Sequence, residues 1–364
     1  MRKLKNLKIS FIIITLLILN INAHGQTIHS NDFKEPYEDD NYRIAIKGNI
    51  KSIKEQEYSA IDYFGELKKD TIYETILVNL NEKKFPINYF QQTLNGVDKY
   101  AELTYINLNK IQEVKCLENN IIVELYKFEY DSRGNIIEFN EYKGGTLTGK
   151  EIVIYDKNNH EIEFKKYNEK GLLTEKAYSK YDVKGRIIEE ESYFDWGYHS
   201  KYNYTYNNEL LTQKFYYDDD ILKRKTYYKY YDSKKKKEEI EDFLSGDKRV
   251  SQFNSQGSLV KIFTLESNGV KEDIETTKYD LNNNKVFEED SYQKLFYTYN
   301  SQGNLIKKEI HFKDVENDEI IKKIILFEYD NYGNWIKAME SNFYGNNPIE
   351  NEKKIIRERI ITYE

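Results

Sequence analysis

The sequence predicts an all-β protein in which tandem antiparallel hairpins form one long, twisted and curled open sheet. Three observations support this fold class. A Tyr-Asp-x-x-Gly-Asn signature recurs along most of the 364 residues. Aromatic or apolar residues alternate with polar ones between the copies, which is typical of half-buried strands. No convincing amphipathic helix pattern follows the first 25 residues. Repeats at intervals of roughly 20 to 50 residues indicate a repeat architecture.

The signature has the chemistry of a tight turn. The Asp or Asn after the Tyr can accept hydrogen bonds from backbone N–H groups two or three residues on, and the Gly supplies the positive φ that the end of a hairpin turn requires. Where Gly is missing, as between Tyr155 and His160, we expect Asn158 or Asn159 to take that conformation. The four well-formed copies are Tyr130-Asp131-Ser132-Arg133-Gly134-Asn135, Tyr181-Asp182-Val183-Lys184-Gly185-Arg186, Tyr299-Asn300-Ser301-Gln302-Gly303-Asn304 and Tyr329-Asp330-Asn331-Tyr332-Gly333-Asn334.

The segments between copies read as strands. Tyr126, Phe128 and Tyr130 alternate with Lys127 and Glu129, as expected for an antiparallel strand with one buried face. Most spacings between copies are in the twenties, which leaves room for two strands and two turns, so the repeating unit is a hairpin. Degraded copies begin at Tyr155, Tyr167, Tyr206, Tyr231, Phe253 and Tyr279.

These copies resemble the YD repeats of RHS-type and wall-associated bacterial surface proteins, over roughly residues 121–340. The resemblance implies a coiled antiparallel sheet and a link to carbohydrate or cell-surface binding. The chain departs from full-length RHS proteins because it lacks their proline-containing core motif and the toxin region after it. Its three prolines are Pro36, Pro86 and Pro348. A toxin-enclosing role is therefore not expected.

The first 25 residues have the pattern of a secretory signal. Four cations precede an apolar run over residues 9–21, and Ala23 and Gly25 offer small residues before a cleavage site. The run is short for a membrane-spanning helix, and an uncleaved N-terminal anchor is the alternative. We expect export to the periplasm, the cell surface or the medium of a bacterium. The domains predicted are a signal peptide (1–25), a flexible leader (26–41), divergent N-terminal hairpins (42–120) and a YD-like hairpin repeat array (121–364).

The composition is acidic. The formal charge of −7 includes the four cations of the signal, without which it is −11. An acidic surface repels nucleic acid and anionic lipid, so we expect no nucleic-acid partner and no membrane contact after signal cleavage. The lysines at residues 234–237 are interpreted as a solvated turn. Cys116 is the only cysteine and is expected to be a small buried hydrophobe.

No motif indicates catalysis, a metal or a cofactor. The mature chain keeps His29, His160, His199 and His311, and none of them has metal-ligand spacing. The sequence contains no nucleophile elbow, phosphate loop or dinucleotide fingerprint. We therefore predict no catalytic residue, no metal and no cofactor, and a protein that is not an enzyme. A glycan-active enzyme is a distant alternative, because any β scaffold could bring two carboxylates together.

Aromatic residues provide the candidate ligand site, since 34 residues are Tyr. Trp196 lies in a connection between strands, where exposed aromatic side chains often recognise ligands. If their faces match, neighbouring tyrosines would form a platform for stacking on sugar rings. The alternative is that these residues are cross-strand ladders that only hold the sheet together. The candidate platform consists of Trp196, Tyr198, Tyr202, Tyr204, Tyr206, Tyr228 and Tyr230.

These inferences favour an exported, non-enzymatic binding or scaffold module with a carbohydrate or cell-surface ligand. The alternative is a structural or protein–protein interaction module, in which the exposed sheet edge or the concave face receives a partner chain. Roughly ten hairpins are too few for the closed shell of longer relatives, so we expect an open sheet capped at one end by residues 44–117. The sequence does not determine the oligomeric state.

Overall fold

The protein is described from a computed structural model that covers residues 47–63, 66–82, 85–96, 98–107, 110–313, 321–344, 347–348 and 354–363. The predicted signal peptide and flexible leader lie outside these residues. Within them the chain forms 25 strands and no helix, which confirms the all-β prediction. No helix long and apolar enough to cross a membrane occurs in this part of the chain.

Most strands follow one another with short connections, and the longest are the first two, with 14 and 15 residues. In chain order they are β1 (Ile50–Tyr63), β2 (Glu66–Leu80), β3 (Pro86–Thr93), β4 (Lys99–Ile106), β5 (Lys110–Glu118), β6 (Ile121–Tyr130), β7 (Ile136–Lys143), β8 (Thr146–Tyr155), β9 (Glu161–Asn168), β10 (Leu173–Tyr181), β11 (Ile187–Phe194), β12 (His199–Asn207), β13 (Leu210–Asp218), β14 (Ile221–Tyr230), β15 (Lys236–Phe243), β16 (Lys248–Phe253), β17 (Leu259–Leu265), β18 (Lys271–Tyr279), β19 (Lys285–Glu289), β20 (Gln293–Tyr299), β21 (Leu305–Phe312), β22 (Ile321–Tyr329), β23 (Trp335–Tyr344), β24 (Asn347–Pro348) and β25 (Lys354–Tyr363).

The strands form a closed antiparallel barrel. From β1 to β23 each strand pairs with the next along the chain. β25 then pairs with β23 on one side and with β1 on the other, from Ile50 opposite Tyr363 to Ala60 opposite Lys354. The two-residue β24 pairs with β23, so the closed ring contains 24 strands. The prediction of an open sheet is therefore wrong. The N-terminal segment does not cap an end, because β1 supplies the strand that closes the ring.

Complementary charges accompany this closure. The guanidinium groups of Arg357 and Arg359 on β25 lie 2.9 Å and 2.8 Å from the carboxylates of Glu57 and Glu55 on β1. Backbone pairing between β1 and β25 satisfies N–H and C=O groups that an open sheet would leave unpaired at its two edges. Closure therefore removes the sheet edges to which a partner strand was expected to add.

The predicted turn and its positive φ are confirmed, but the second hydrogen bond comes from four residues on and not from three. The Asp131 carboxylate accepts hydrogen bonds of 2.9 Å from the backbone N–H groups of Arg133 and Asn135, and Gly134 has φ +91°. Asn159 takes φ +67° in the copy without Gly. The same pair of bonds is accepted by Asp156, Asn168, Asp182, Asn254, Asp280, Asn300 and Asp330.

One copy has a different register from the one predicted. The turn assigned to Tyr231 and Asp232 begins one residue earlier, because the Tyr231 N–H pairs with the Lys235 carbonyl oxygen and Lys234 takes the positive φ of +62°. Tyr231 thus occupies the position of the turn-forming Asp, and Tyr230 is the signature tyrosine. The sequence alone offered two adjacent tyrosines and no means of choosing between them.

Side chains alternate between two faces along each strand. We call the face that carries the signature tyrosines, such as Tyr130 and Tyr329, the tyrosine face. The reverse face carries the side chains that alternate with them along each strand. The two main buried clusters lie on the tyrosine face near the closure. The first contains Val78, Tyr89, Ala101, Leu103, Val114, Cys116, Tyr126, Phe128 and Phe139, and the second contains Leu295, Tyr297, Leu305, Ile325, Phe327, Trp335 and Ala338.

The connections form two rims. The signature rim carries the connections after even-numbered strands from β2 to β22, which include all the signature turns except the degraded copy at Tyr167, which follows β9. The opposite rim carries those after odd-numbered strands from β1 to β23. This follows from the up-and-down order of the strands, in which successive connections alternate between the two ends of the barrel.

Candidate functional site

The signature tyrosines link successive hairpins. The Tyr130 hydroxyl donates a 2.8 Å hydrogen bond to the Ile111 carbonyl oxygen at the start of the preceding hairpin's outgoing strand. Burial raises the pKa of Tyr130 to about 12. The same link joins Tyr155 to Ile136, Tyr181 to Glu161, Tyr206 to Ile187, Tyr230 to Leu211, Tyr279 to Leu259, Tyr299 to Lys285 and Tyr329 to Leu305. Two members of the candidate platform, Tyr206 and Tyr230, therefore have a structural role.

The seven platform residues lie in two places. Trp196 and Tyr198 are in the β11–β12 connection on the opposite rim, where the Trp196 ring stacks on Phe194 at 4.6 Å. The remaining five are on the tyrosine face, Tyr202, Tyr204 and Tyr206 on β12 and Tyr228 and Tyr230 on β14. The structure thus places five of them on one face but separates the strands that carry them by β13.

The intervening strand contributes residues that sequence reasoning missed. Tyr216 on β13 stacks on Tyr202 with ring centres 4.9 Å apart, and its hydroxyl is 2.7 Å from that of Tyr198. Lys214 places its ammonium group 4.4 Å from the centre of the Tyr202 ring. The register of β12 against β13, which puts Tyr202 opposite Tyr216, brings these side chains together and carries no local sequence signal.

Protein cations lie over four of the seven rings of the platform. The Arg186 guanidinium lies 4.5 Å from the centre of the Tyr206 ring, and the Lys236 ammonium lies 5.2 Å from that of Tyr228. The Tyr204 hydroxyl donates to the buried carboxylate of Glu190. Stacking on a sugar needs a free aromatic face, whereas these faces make cation–π contacts within the sheet. The expectation of carbohydrate binding on an open repeat sheet is therefore corrected.

Histidines and carboxylates form separate pairs. His160 Nδ1 is 3.0 Å from Asp156 Oδ2, and His199 Nε2 is 3.0 Å from Glu191 Oε1. His160 stacks on Tyr181, and His199 stacks on Tyr193, both with ring centres 4.5 Å apart. Among the residues that the structure covers, no group of three or more His, Cys, Asp or Glu side chains is arranged to hold a metal ion.

A notch interrupts the signature rim between β12 and β13. The connection there consists of Asn208 and Glu209, whereas the neighbouring connections at residues 182–186 and 231–235 have five residues each. The shorter turn leaves an open cavity of about 510 Å³ between Lys184 and Lys234. The Lys234 ammonium crosses it to the Glu209 carboxylate at 2.9 Å. One of the four lysines interpreted as a solvated turn thus makes an exposed ion pair.

Comparison with known proteins adds no family assignment. No protein-family model matches the sequence, and no curated protein matches it significantly. Among solved structures, a porin-like protein from Bacteroides uniformis is similar, with 7% sequence identity and a TM-score of 0.27. The match covers 87% of this chain and 99% of that chain. At this identity and TM-score the similarity carries no argument about the function of this chain.

Proposed function

We propose that the protein is an exported, non-enzymatic scaffold. It is a β-barrel surrounded by water, and its rims bind protein partners. The observation that carries this proposal is the distribution of ion pairs, which lie within the strands on both faces of the barrel. A barrel embedded in lipid needs only its outer face to be apolar, so charges argue against a membrane only if both faces carry them.

The reverse face carries rows of alternating charge. The Glu189 carboxylate lies between the ammonium groups of Lys180 and Lys201, at 2.6 Å and 2.9 Å. On neighbouring strands, Glu163 lies between Lys165 and Lys176. The other reverse-face pairs are Lys150–Glu138, Lys229–Glu238, Lys294–Glu289, Lys307–Glu309, Lys322–Glu309 and Lys337–Glu328.

The tyrosine face also carries ion pairs within its strands. Lys166 is 2.8 Å from the Glu151 carboxylate, which is largely buried. The Arg224 guanidinium is 3.0 Å from the Glu241 carboxylate on the neighbouring strand. Further pairs on this face are Lys236–Glu239, Lys285–Glu288, Lys323–Glu340, Arg357–Glu57 and Arg359–Glu55.

These charges favour water over lipid on either face. A membrane barrel has an outward apolar band about 25 Å tall, and each Lys or Arg at the bilayer midplane costs about 2–4 kcal/mol. Whichever face points outward, several strands would place charged side chains in that band. In water the same pairs are unstrained, add modest stability and keep the surface soluble. This reasoning supports an aqueous compartment for the barrel.

The rims are the parts of the barrel that are available for binding partners. Closure pairs the two terminal strands of the ring with each other, so strand addition at a sheet edge is no longer available. Cations of the barrel itself lie over the rings of Tyr202, Tyr206 and Tyr228. Connections between strands are where rigid β scaffolds commonly place binding residues.

The proposal is tested by expressing the chain with its own N-terminal segment and following where the product goes. We expect cleavage after Gly25, detected by mass spectrometry, and a mature protein that is purified without detergent and stays in the aqueous phase of a Triton X-114 partition. Leu17→Arg within the apolar run is the control and should block export. A product that needs detergent, or that forms conducting channels in planar bilayers, would overturn the proposal in favour of a pore.

A further inference from the structure

The opposite rim carries a regular series of exposed apolar side chains. Nine consecutive connections on this rim run from β3–β4 to β19–β20, and eight of them hold one such residue in the turn or directly after it. The exception is the Gly144-Gly145 turn. The eight side chains are between 49% and 74% exposed, and they are Leu94, Ile121, Leu172, Trp196, Ile221, Leu244, Val270 and Tyr292.

Hydrogen bonds hold these connections in place along the rim. The Asp195 N–H, next to Trp196, donates to the Thr174 carbonyl oxygen of the preceding hairpin at 3.0 Å. The Leu244 N–H donates in the same way to Lys223 at 3.2 Å. Equivalent backbone bonds join Leu94 to Tyr73, Gly144 to Val123 and Asp219 to His199, so several of these turns are fixed relative to their neighbours. Apolar side chains gathered along one rim are typical of an interaction site, whereas apolar side chains scattered singly over a surface are ordinary.

The same nine connections are acidic. Their turns contain eight carboxylates and a single cation, Lys170, and the strand residues directly after the turns add three lysines, Lys99, Lys248 and Lys271. The strong excess of one sign on a closed ring produces a local negative potential. The carboxylates are those of Asp98, Glu169, Asp195, Asp219, Asp220, Asp247, Glu266 and Asp290.

The signature rim has a different composition. Its turns at residues 131–135, 156–160, 182–186 and 231–235 contain four aspartates and six Lys or Arg residues. Three of the aspartates, Asp131, Asp156 and Asp182, accept backbone hydrogen bonds within their own turns. Its fully exposed apolar side chains include Val183 and Leu281, and the turns that carry them are separated by three other turns of this rim. The two ends of the barrel therefore differ. The opposite rim is acidic and carries the exposed apolar side chains, whereas the signature rim is nearly neutral.

We infer that the opposite rim is the docking surface for a protein partner that presents apolar side chains among Lys and Arg residues. This inference rests on the proposed scaffold function. Opposite charges steer such a partner to the rim and apolar contacts hold it there. An anionic bilayer has the same sign of charge as the rim and is repelled. A second copy docked rim to rim would bring the two sets of eight carboxylates together.

The position of Trp196 allows a direct binding assay on the mature protein. Trp196 is 70% exposed on the rim, whereas Trp335, the only other tryptophan, is 2% exposed. A change in tryptophan emission on binding therefore reports on the rim. The probe is a short amphipathic peptide of Leu and Lys, and its counterpart of Leu and Glu is the charge control. We expect a saturable blue shift with the Leu/Lys peptide and no shift with the Leu/Glu peptide.

Two matched variants locate the binding. The triple substitution Leu172→Ser, Ile221→Ser and Leu244→Ser on the opposite rim should weaken the affinity by about tenfold or more, because three apolar contacts are removed. The double substitution Val183→Ser and Leu281→Ser changes side chains on the signature rim that are even more exposed, and it should leave the affinity unchanged. Unfolding midpoints and circular dichroism spectra of all variants should match those of the parent protein.

A third variant tests the electrostatic part of the inference. Asp195→Asn, Asp219→Asn and Asp247→Asn keep hydrogen-bond acceptors in the turns but remove three charges. We expect weaker binding of the Leu/Lys peptide and a smaller loss of affinity when salt is raised. An affinity and a salt dependence equal to those of the parent would overturn the charge complementarity on which the inference depends.

The remaining outcomes separate the inference from the scaffold proposal. Undiminished binding by the Leu172/Ile221/Leu244 variant would overturn the rim as the site. A Trp196 shift with vesicles of zwitterionic phosphatidylcholine would assign the rim to lipid, and concentration-dependent dimers in sedimentation velocity would assign it to a second copy. A detergent-free, exported protein that binds neither peptide would refute the inference alone. A protein that requires detergent would refute the scaffold proposal first.

Discussion

The Tyr130 hydroxyl donates a hydrogen bond of 2.8 Å to the carbonyl oxygen of Ile111, which lies 19 residues earlier in the preceding hairpin. Seven other signature tyrosines make the equivalent bond. The turn and the tyrosine of one repeat therefore position the next repeat. This relationship explains why Tyr, which combines a large apolar ring with a hydroxyl donor, precedes the turn-forming Asp or Asn.

Removing this hydroxyl should destabilise the barrel. We expect Tyr130→Phe to lower the free energy of unfolding by about 1 kcal/mol, because the ring stays packed while the Ile111 carbonyl oxygen loses its donor. Urea titration followed by circular dichroism measures the change. Tyr292→Phe is the matched control, since Tyr292 is 74% exposed, and it should have no effect. Equal stabilities of the two variants would contradict the structural role of the hydroxyl.

The signature glycines should differ in their tolerance of a side chain. Gly303 has φ +80° and free space around the position of a Cβ, so Gly303→Ala should cost about 1–2 kcal/mol from the left-handed backbone alone. At Gly185 a Cβ would also lie 2.8 Å from the His160 ring, so Gly185→Ala should cost more. Thermal unfolding of both variants gives the comparison.

The amide side chain offers a control at the same position. Asn159 and Asn283 have φ values of +67° and +63° in copies of the turn without Gly. We therefore expect Gly303→Asn to be milder than Gly303→Ala. The opposite order would show that the left-handed conformation is not the main cost.

Barrel closure should be essential for folding. Deleting residues 354–364 removes β25 and leaves β1 and β23 as unpaired edges, so we expect aggregation and loss of the cooperative thermal transition. Truncation after Tyr279 should have the same effect, whereas an open array of hairpins would leave a folded remainder. Size-exclusion chromatography with light scattering distinguishes the two results.

The closing ion pairs allow a milder test of the same point. Arg357→Glu replaces a guanidinium that lies 2.9 Å from the Glu57 carboxylate by a second carboxylate and should destabilise the barrel by about 1 kcal/mol or more. Glu57→Arg combined with Arg357→Glu restores opposite charges and should recover part of that stability. No recovery in the double variant would argue against pairing of β1 with β25.

Stability should fall in acid because of the charge rows on the reverse face. The hydrogen bond from Lys307, assisted by Lys322, lowers the pKa of Glu309 from its ordinary 4.5 to about 2. A depressed folded-state pKa stabilises the native protein above pH 4.5, and this stability is lost as the pH falls from 4.5 towards 2. Urea unfolding at pH 6 and pH 3 measures the loss. Glu309→Gln should be less stable than the parent at pH 6 and lose less stability on acidification.

The single thiol should be unreactive in the native protein. Cys116 is 3% exposed within the buried cluster of β2–β7, and burial together with the nearby Glu124 carboxylate raises its pKa to about 12. Because the thiolate is the reactive species, we expect modification by Ellman's reagent only as the protein unfolds. A cysteine introduced by Ser245→Cys on the exposed β15–β16 connection is the positive control. Rapid modification of native Cys116 would contradict its placement.

The turns were predictable because their partners are close in sequence. The Asp131 carboxylate binds N–H groups two and four residues away, and Asn159 substitutes for Gly within the same five-residue turn. The alternation of Tyr126, Lys127 and Phe128 likewise follows from local strand geometry. The candidate aromatic platform was less predictable, because Lys214 and Arg186, which cover its rings, come from other strands and depend on their registers.

The amino-acid sequence by itself determined the hairpin unit, the turn conformation and the all-β class, since each depends on interactions among neighbours in the chain. Only the tertiary structure decided that the sheet closes. Closure depends on the accumulated coiling of 24 strands and on the match of Glu55 and Glu57 with arginines about 300 residues away. No local sequence pattern predicts the pairing of β1 with β25. The collection of eight apolar side chains on one rim follows from the same closure, because the ring places every second connection at the same end.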